Sequence, residues 1–353
     1  MRGTHKGLSI YNRGILRSMV QKTGIVRILL PLVLGVFAVT LCAFSSDQGR
    51  EGPYSAVSPG ALDVTKAVSG SGPVFVSDYF SFAGADEKGH VVFAIDNDRA
   101  RRGEKFSADA HCVLHDEHAG WITISGAGEY ENKEKDLLRI PDSPYFRFSG
   151  EVKNGITLDS PCNQLKLVID PMNERVSRIT GEVIYSMGST SATLTWRDRV
   201  IHGRVIYEYI FMKNLSPWYS SFSGLFYNDF QGLYLTTSDG GDFYLHTSKG
   251  RAWSKAIKQV LGFQVLDQHL ELLEDLRIEV PERRYALGFY RWPGSWRVSW
   301  QGNKGAGSLV LRVADRKTVT NWLIGGFAMG VVTGEISSGG KIRPVYGLAE
   351  LIR

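Results

Sequence analysis

A chain of 353 residues is long enough for two ordinary domains or for one large all-β unit. Its net charge of +5 is local: residues 1–27 carry Arg2, Lys6, Arg13, Arg17, Lys22 and Arg27, and the first acid is Asp47. Without those six, 35 basic residues stand against 36 acidic ones, so the body makes no electrostatic case for nucleic acid, which needs a clustered basic face.

The basic segment 1–27 runs into ILLPLVLGVFAVTLCAF, residues 28–44, seventeen residues without a charge. Basic residues followed by such a run read as a secretion signal or a membrane anchor. A spanning helix wants about 20 apolar residues, so the run sits at the lower limit for an anchor. Initiation at Met19 would make the leader an ordinary signal, and Leu41 before Cys42 speaks against lipoprotein processing. Positive charge before the run keeps the N-terminus in the cytoplasm and sends the body across. The expected location is periplasmic or otherwise extracytoplasmic, either free or anchored in the cytoplasmic membrane. Residues 45–72 are rich in Ser, Gly and Pro and lack an apolar period, the pattern of a linker.

Beyond the linker, short apolar or alternating runs recur between turn signals, as in a sandwich or barrel. GHVVFAI, GWITISG, QLKLVID, RVIYEYIFM, FQGLYLTT, GDFYLHT and SWRVSW are examples, with EKG (87–89) and SDGGD (238–242) as turns. Residues 252–275 offer a helix, but Gly262 interrupts them and GFQVLDQHLELLEDLRIEV reads as strands around an Asp-Gln turn. Of three cysteines, Cys42 lies in the apolar run. Cys112 and Cys162 could form one disulfide in an oxidising compartment or remain two free thiols.

An internal repeat organises the body. Residues 187–210 align without a gap on residues 329–352: Met187 meets Met329, Gly188 meets Gly330, Leu194 meets Ile336, Glu208 meets Glu350 and Ile210 meets Ile352. A weaker match places 77–93 over 228–244 and pairs Asp78 with Asp229. The expected domains are therefore 73–215 and 216–353, two related antiparallel β-barrels or half-barrels in tandem.

The repeated glutamates are the first candidates for chemistry. Alternation puts Ile206, Glu208, Ile210 and Met212 on one strand face, and Glu350 beside Leu348 and Ile352 on another. An acid among aliphatic neighbours is desolvated, which raises its pKa and lets it donate a proton near neutrality. The same acid could instead be paired to close the barrel, and its presence in both halves favours that structural role. Asp229 stands next to Phe230 with Tyr227 on its own face. A carboxylate among aromatic rings can protonate an alkene or stabilise a developing cation, or simply accept hydrogen bonds. His111, His115 and His118 crowd one stretch with Asp116 and Glu117, but strand and turn context makes them an exposed hairpin tip and no metal site is expected. Serine-nucleophile elbows, phosphate loops and dinucleotide fingerprints are absent from the sequence, and no cofactor is implied. Aromatic residues make up 11% of the chain, with eight tryptophans; in a wide barrel they line a cavity for an apolar ligand, and in a narrow one they are core.

The run YNDFQGLYLTTSDGGDFYLHTSKG (227–250) resembles the Trp-Asp-Trp-Phe…Asp-Gly hairpin of the AttH-like and carotenoid 1,2-hydratase group. RWPGSWRVSW (291–300), with Trp292-Pro293 and Trp296, is similar to that group's Tyr-Pro-x-x-Trp strand, and VYGLAELI (345–352) to its closing strand. The resemblance spans residues 73–353. It implies two lipocalin-like barrels in tandem and a large apolar ligand such as an isoprenoid, carotenoid, fatty acyl chain or polyketide. Members include hydratases, cyclases of the Diels–Alder type and lipid binders. In the hydratases the strand matching GRVIYEYIF carries an aromatic-His-Asp-His cluster; here it reads Tyr207-Glu208-Tyr209, so the acid persists and both histidines are missing. Asp229 matches the hairpin aspartate.

The expectation is an exported or membrane-tethered lipocalin-like protein that binds a hydrophobic small molecule, with Tyr207, Tyr209, Tyr227, Phe230 and Glu350 lining the site. The alternative is a hydratase-like or cyclase enzyme using Asp229 and Glu208 for acid catalysis and cation stabilisation. A third reading is a scaffold of the cell envelope without a ligand.

Overall fold

The structure is a computed structural model that describes residues 55–57, 72–124, 128–133, 135–180, 183–213, 227–250, 258–266, 269–285, 291–303, 305–322 and 325–352. The basic segment 1–27 and the apolar segment 28–44 lie outside the described residues, as does most of the expected linker.

Alternating apolar and polar residues make strands throughout, and every pairing is antiparallel. The first half contributes β1 (Ser55–Val57), β2 (Val74–Asp86), β3 (Gly89–Arg102), β4 (Lys105–Asp116), β5 (Gly120–Thr123), β6 (Gly128–Glu131), β7 (Arg147–Glu151), β8 (Gly155–Ser160), β9 (Leu165–Ile169), β10 (Arg175–Thr180), β11 (Val183–Trp196) and β12 (Arg199–Lys213). The second contributes β13 (Tyr227–Thr237), β14 (Asp242–Gly250), β15 (Lys258–Leu266), β16 (His269–Leu272), β17 (Glu274–Glu279), β18 (Arg283–Tyr285), β19 (Arg291–Pro293), β20 (Ser295–Gly302), β21 (Gly305–Trp322), β22 (Gly325–Ser338) and β23 (Lys341–Ile352). Among the described residues the one helical turn is a 3-10 turn at Pro161–Asn163.

The first sheet runs β5-β4-β3-β2-β12-β11-β9-β8-β7, and the second runs β16-β15-β14-β13-β23-β22-β21-β20-β17. The two paths match strand for strand, so each half is the same curled lipocalin-like sheet, one a half-barrel and the other nearly closed. The repeat is exact in register where the glutamates lie. Met187 sits opposite Glu208 between β11 and β12, and Met329 sits opposite Glu350 between β22 and β23. The weaker match needs correcting by two residues. Asp78 faces Tyr209 across β2 and β12, whereas the residue facing Leu351 across β13 and β23 is Gln231, so Gln231 and not Asp229 is the counterpart of Asp78. A slip of two keeps every side chain on its own face, so the hydrophobic pattern cannot reveal it. An irregularity between Tyr227 and Asp229 adds to the mismatch.

Lys258–Leu266, His269–Leu272 and Glu274–Glu279 are strands, as expected, while the Asp-Gln pair at 267–268 lies outside the described residues. Ser55–Val57, within the expected linker, pairs with β10. The hairpins close on glycines with positive φ, Gly89 at 102° and Gly240 at 85°, where a Cβ would be strained. At the β2–β3 hairpin Arg199 adds a clamp: it binds the Asp86 carboxylate at 2.6 and 2.8 Å and also reaches Asp116.

Alternation along these strands builds three apolar layers. Phe80, Phe82, Phe93, Leu114, Leu167 and Trp196 fill the first barrel. Leu233, Phe243, Trp296, Trp300 and Leu311 fill the second. Phe75, Ile206, Met187, Phe263, Met329 and Leu348 join the outer faces of the two sheets. At about 1.5–3 kcal/mol for each large side chain fully buried, these layers are the main drive for folding. Cys112 is buried, Cys162 is exposed, and both are free.

Candidate functional site

The segment Tyr207-Glu208-Tyr209 is divided by the pleat. Tyr207 and Tyr209 point into the first barrel, while Glu208 points into the layer between the sheets with Ile206, Ile210 and Met212. Glu350 enters the same layer from β23, between its neighbours Met329 and Gly232. The two glutamates therefore meet at the junction of the halves.

Tyr234 joins them. Its hydroxyl donates to Glu208 Oε2 at 2.8 Å and lies 3.2 Å from Glu350 Oε2. Tyr244 donates to the same Glu208 oxygen at 2.9 Å, and His246 Nδ1 is 3.0 Å from the Tyr244 oxygen and 3.6 Å from Glu208 Oε1. Glycine at 232 is what admits the Tyr234 ring: a Cβ there would lie 2.8 Å from that ring. Phe230 packs on His246 with ring centres 4.8 Å apart, and Tyr79 packs on Tyr234 at 4.8 Å. The cluster is closed to solvent, with Glu208 at 2% exposure and Glu350 at 6%.

Burial and charge separate the two acids. Burial raises the Glu350 carboxyl well above its ordinary value, and the charges of Asp96 and Glu208 push it further. Burial acts on Glu208 in the same direction, but the hydrogen bond and charge of His246, with the Tyr234 and Tyr244 hydroxyls, outweigh it and hold this carboxyl below its ordinary value. Two adjacent buried carboxylates do not both ionise, so one proton resides on Glu350 and the charge on Glu208. A single phenolic proton cannot serve both acids. Glu350 can donate to the Tyr234 oxygen while Tyr234 donates to Glu208. Asp96, opposite Tyr79, is pushed up to about 7 by burial although the Ser77 hydroxyl donates to it at 2.8 Å. Glu208 Oε1 has His246 Nδ1 at 3.6 Å as its nearest named donor, and His246 Nε2 has no hydrogen-bond partner among the described residues.

Asp229 lies opposite Lys249 in the backbone ladder, but its side chain and that of Tyr227 fall outside the described residues. Tyr207 binds Asp78 inside the first barrel and Tyr209 sits beside it, on the opposite face of the sheet from Glu208. The sequence reading thus brought together Glu208, Glu350 and Phe230, and it missed Tyr234, Tyr244, His246 and Asp96. Tyr244 and His246 carry a faint signal, two polar rings at alternate positions of β14 with Phe243 and Leu245 on the other face. His111 and His115 share a strand face; the His111 imidazole is pushed down to about 4 by burial, and His115 Nε2 lies 3.2 Å from Asp315. Among the described residues no three His, Cys, Asp or Glu side chains gather as metal ligands do. A separate cleft of about 680 Å³, lined by His90, Trp296, Arg297, Arg312, Glu335 and Tyr346, does not include this cluster.

No protein-family model matches the chain, and no curated protein does. Solved structures do. A protein assigned as an AttH, from Nitrosomonas europaea, shares 11% identity over 84% of this chain and 98% of its own, with a TM-score of 0.51. Kievitone hydratase from Nectria haematococca shares 10% identity over 78% and 88%, with a TM-score of 0.49. CghA with Sch210972 shares 10% over 79% and 88%, with a TM-score of 0.41. At such identities the first likeness speaks for the fold alone. The chain has the tandem lipocalin-like fold of AttH-type proteins.

Proposed function

We propose that this is an exported or membrane-tethered lipocalin-like protein that binds a hydrophobic small molecule, isoprenoid-, carotenoid- or lipid-like, in the layer between its two sheets. The observation that carries the reading is His246 Nε2, buried without a hydrogen-bond partner among the described residues and set in an apolar layer beside Glu208 and a Glu350 carboxyl that burial pushes up. Buried polar atoms are nearly always satisfied, so an atom left open needs a partner. An apolar molecule with one hydroxyl or carbonyl group would cover Phe75, Ile206, Phe263 and Leu348 and fill the open valence. The layer is closed to solvent, so such a molecule enters as the sheets part. The basic and apolar N-terminal segments support export or tethering.

The test is mass spectrometry of an organic extract of the purified protein, together with titration by retinol and geranylgeraniol. A near-stoichiometric apolar compound is expected, with probe binding weakened about tenfold in Glu208→Gln, the loss of one hydrogen bond to a charged group. Neither a co-purified compound nor probe binding would leave only the scaffold reading.

The unequal protonation of the two glutamates favours an enzymatic version of the same site. Protonated Glu350 would give its proton to an alkene carbon, and the cation would form beside the Glu208 carboxylate. Water would then add to the cation and pass a proton to the Glu208–His246 pair, for a net addition of water. Glu350→Gln should abolish turnover and retain binding. Unchanged turnover in Asp229→Asn would remove that residue from the mechanism.

A further inference from the structure

The cleft of about 680 Å³ that stands apart from the glutamate cluster has a floor from the second half and a wall from the first. The floor is the outer face of the second sheet, opposite the face on which Trp296, Leu311 and Val345 fill the barrel. Two rows of side chains cross it. Ser295, Arg312, Thr333 and Tyr346 lie each opposite the next, and so do Arg297, Val310, Glu335 and Pro344. The wall is His90, beside the turn between β2 and β3, whose ring packs on Tyr346 with centres 4.1 Å apart. Glu117 fixes that ring: its carboxylate accepts from the His90 backbone N–H at 2.8 Å and lies 2.9 Å from Nδ1.

Arg297 and Arg312 are diagonal neighbours on adjacent strands of this floor, within reach of each other's charge. Neither forms an ion pair or a side-chain hydrogen bond among the described residues, although Glu335 lies diagonal to Arg312 and Glu279 lies opposite Arg297. Like charges side by side repel, and an anion between them relieves the repulsion. Val310, directly opposite Arg297 and two residues from Arg312, is 54% exposed in this otherwise polar setting.

The first half has the same strands and lacks the pair. By register, Val168 is the counterpart of Val310, while Thr157, Asp170 and Thr193 take the places of Arg297, Arg312 and Glu335. The valine is kept and the guanidinium groups are not, so building this sheet does not require them. Their presence in one half marks a specialised role. Arg297 and Arg312 against Glu335 leave one positive charge over. A carboxylate is planar and singly charged, so it matches the guanidinium fork and balances that surplus, whereas a phosphate monoester brings nearly two charges. Val310, Pro281, Pro344 and the Tyr346 ring supply apolar surface beside the arginines, in a cleft large enough for a drug-sized molecule.

We propose that this cleft is a binding site for an aryl carboxylate, its carboxylate held between Arg297 and Arg312 and its rings lying over Val310 against Tyr346 and Pro344. The site does not rest on the interlayer reading, because the cleft shares no residue with the Glu208–Glu350 cluster.

Calorimetric titration of the full-length protein with 2-naphthoate, methyl 2-naphthoate and 2-naphthyl phosphate tests this. Naphthoate should bind about tenfold or more tightly than its ester, the worth of a hydrogen bond to a charged group. Arg297→Gln and Arg312→Gln remove side chains that no described residue engages, so both should fold, and each should weaken naphthoate about tenfold while leaving the ester unchanged. Val310→Glu puts a negative charge on the floor at an exposed position and should remove naphthoate binding. Equal binding of acid and ester, no binding of naphthoate, or an unchanged naphthoate affinity in either arginine variant would each overturn the proposal. Tighter binding of the phosphate than of naphthoate would overturn the carboxylate assignment. Loss of naphthoate in Glu208→Gln with none in the arginine variants would place the probe between the sheets and overturn the cleft as its site.

Discussion

Glu208 and Glu350 are the same residue of the repeat, yet their amide variants should change stability in opposite directions. Glu350 has a folded pKa well above its ordinary value of 4.5. Below that ordinary value both states hold the proton and the group is neutral to stability. As pH rises, the unfolded chain releases the proton and the native state keeps it, so stability falls until the folded value is reached. The loss is about 1.4 kcal/mol per pH unit between the ordinary and the folded values. Glu350→Gln has no proton to lose, and its amide can still donate to the Tyr234 oxygen. It should match the wild type near pH 4.5 and exceed it increasingly as pH rises, by about 1.4 kcal/mol per pH unit until the folded pKa is reached. Glu208 has the opposite shift, so its contribution is present above the ordinary value and lost as pH falls through the folded one. Glu208→Gln gives up a charge that accepts from Tyr234 and Tyr244 at 2.8 and 2.9 Å, and should cost about 3 kcal/mol at pH 7, two bonds to a charged group at the lower end of their range. Urea unfolding of the three proteins at pH 5, 6 and 7 measures all of this. A destabilised Glu350→Gln, or a gap that does not change with pH, would refute the protonation assignment.

Three further outcomes follow from the same contacts. Tyr234→Phe should cost about 2 kcal/mol in urea unfolding, because the Glu208 carboxylate loses a buried donor, and Gly232→Ala should mimic it by displacing the ring it meets at 2.8 Å. Arg199→Met leaves the Asp86 and Asp116 carboxylates unpaired. Both have lowered pKa values, Asp86 mainly through its hydrogen bond to Arg199, and Asp116 through hydrogen bonds from Ala119 and Arg199 that outweigh burial. The wild type should therefore lose stability as pH falls below about 4, and the variant should show a shallower acid transition in circular dichroism. Maleimide labelling of the native protein, read by peptide mapping, should modify Cys162 quickly. Cys112 should react slowly, since burial both hides its thiol and raises its pKa; comparable rates would contradict its place inside the first barrel.

Much of this protein is determined locally along its chain. Two-residue alternation with Gly turns specifies antiparallel strands and which face each side chain takes, and the matching Met187–Glu208 and Met329–Glu350 segments specify a duplicated one. The same alternation put Glu208 among aliphatic residues. Which acid would keep its proton was not legible: Glu208 and Glu350 have like neighbours in sequence, and their unequal protonation comes from Tyr234, Tyr244 and His246, which reach Glu208 from the other half. The true counterpart of Asp78 was hidden as well, since a slip of two leaves the pattern of faces unchanged. The division of Tyr207, Glu208 and Tyr209 between two interiors needed the second sheet to be in place. Propensity and pleat act between neighbours in the chain, but the charge on a buried acid is decided by groups that only folding brings within a few ångströms.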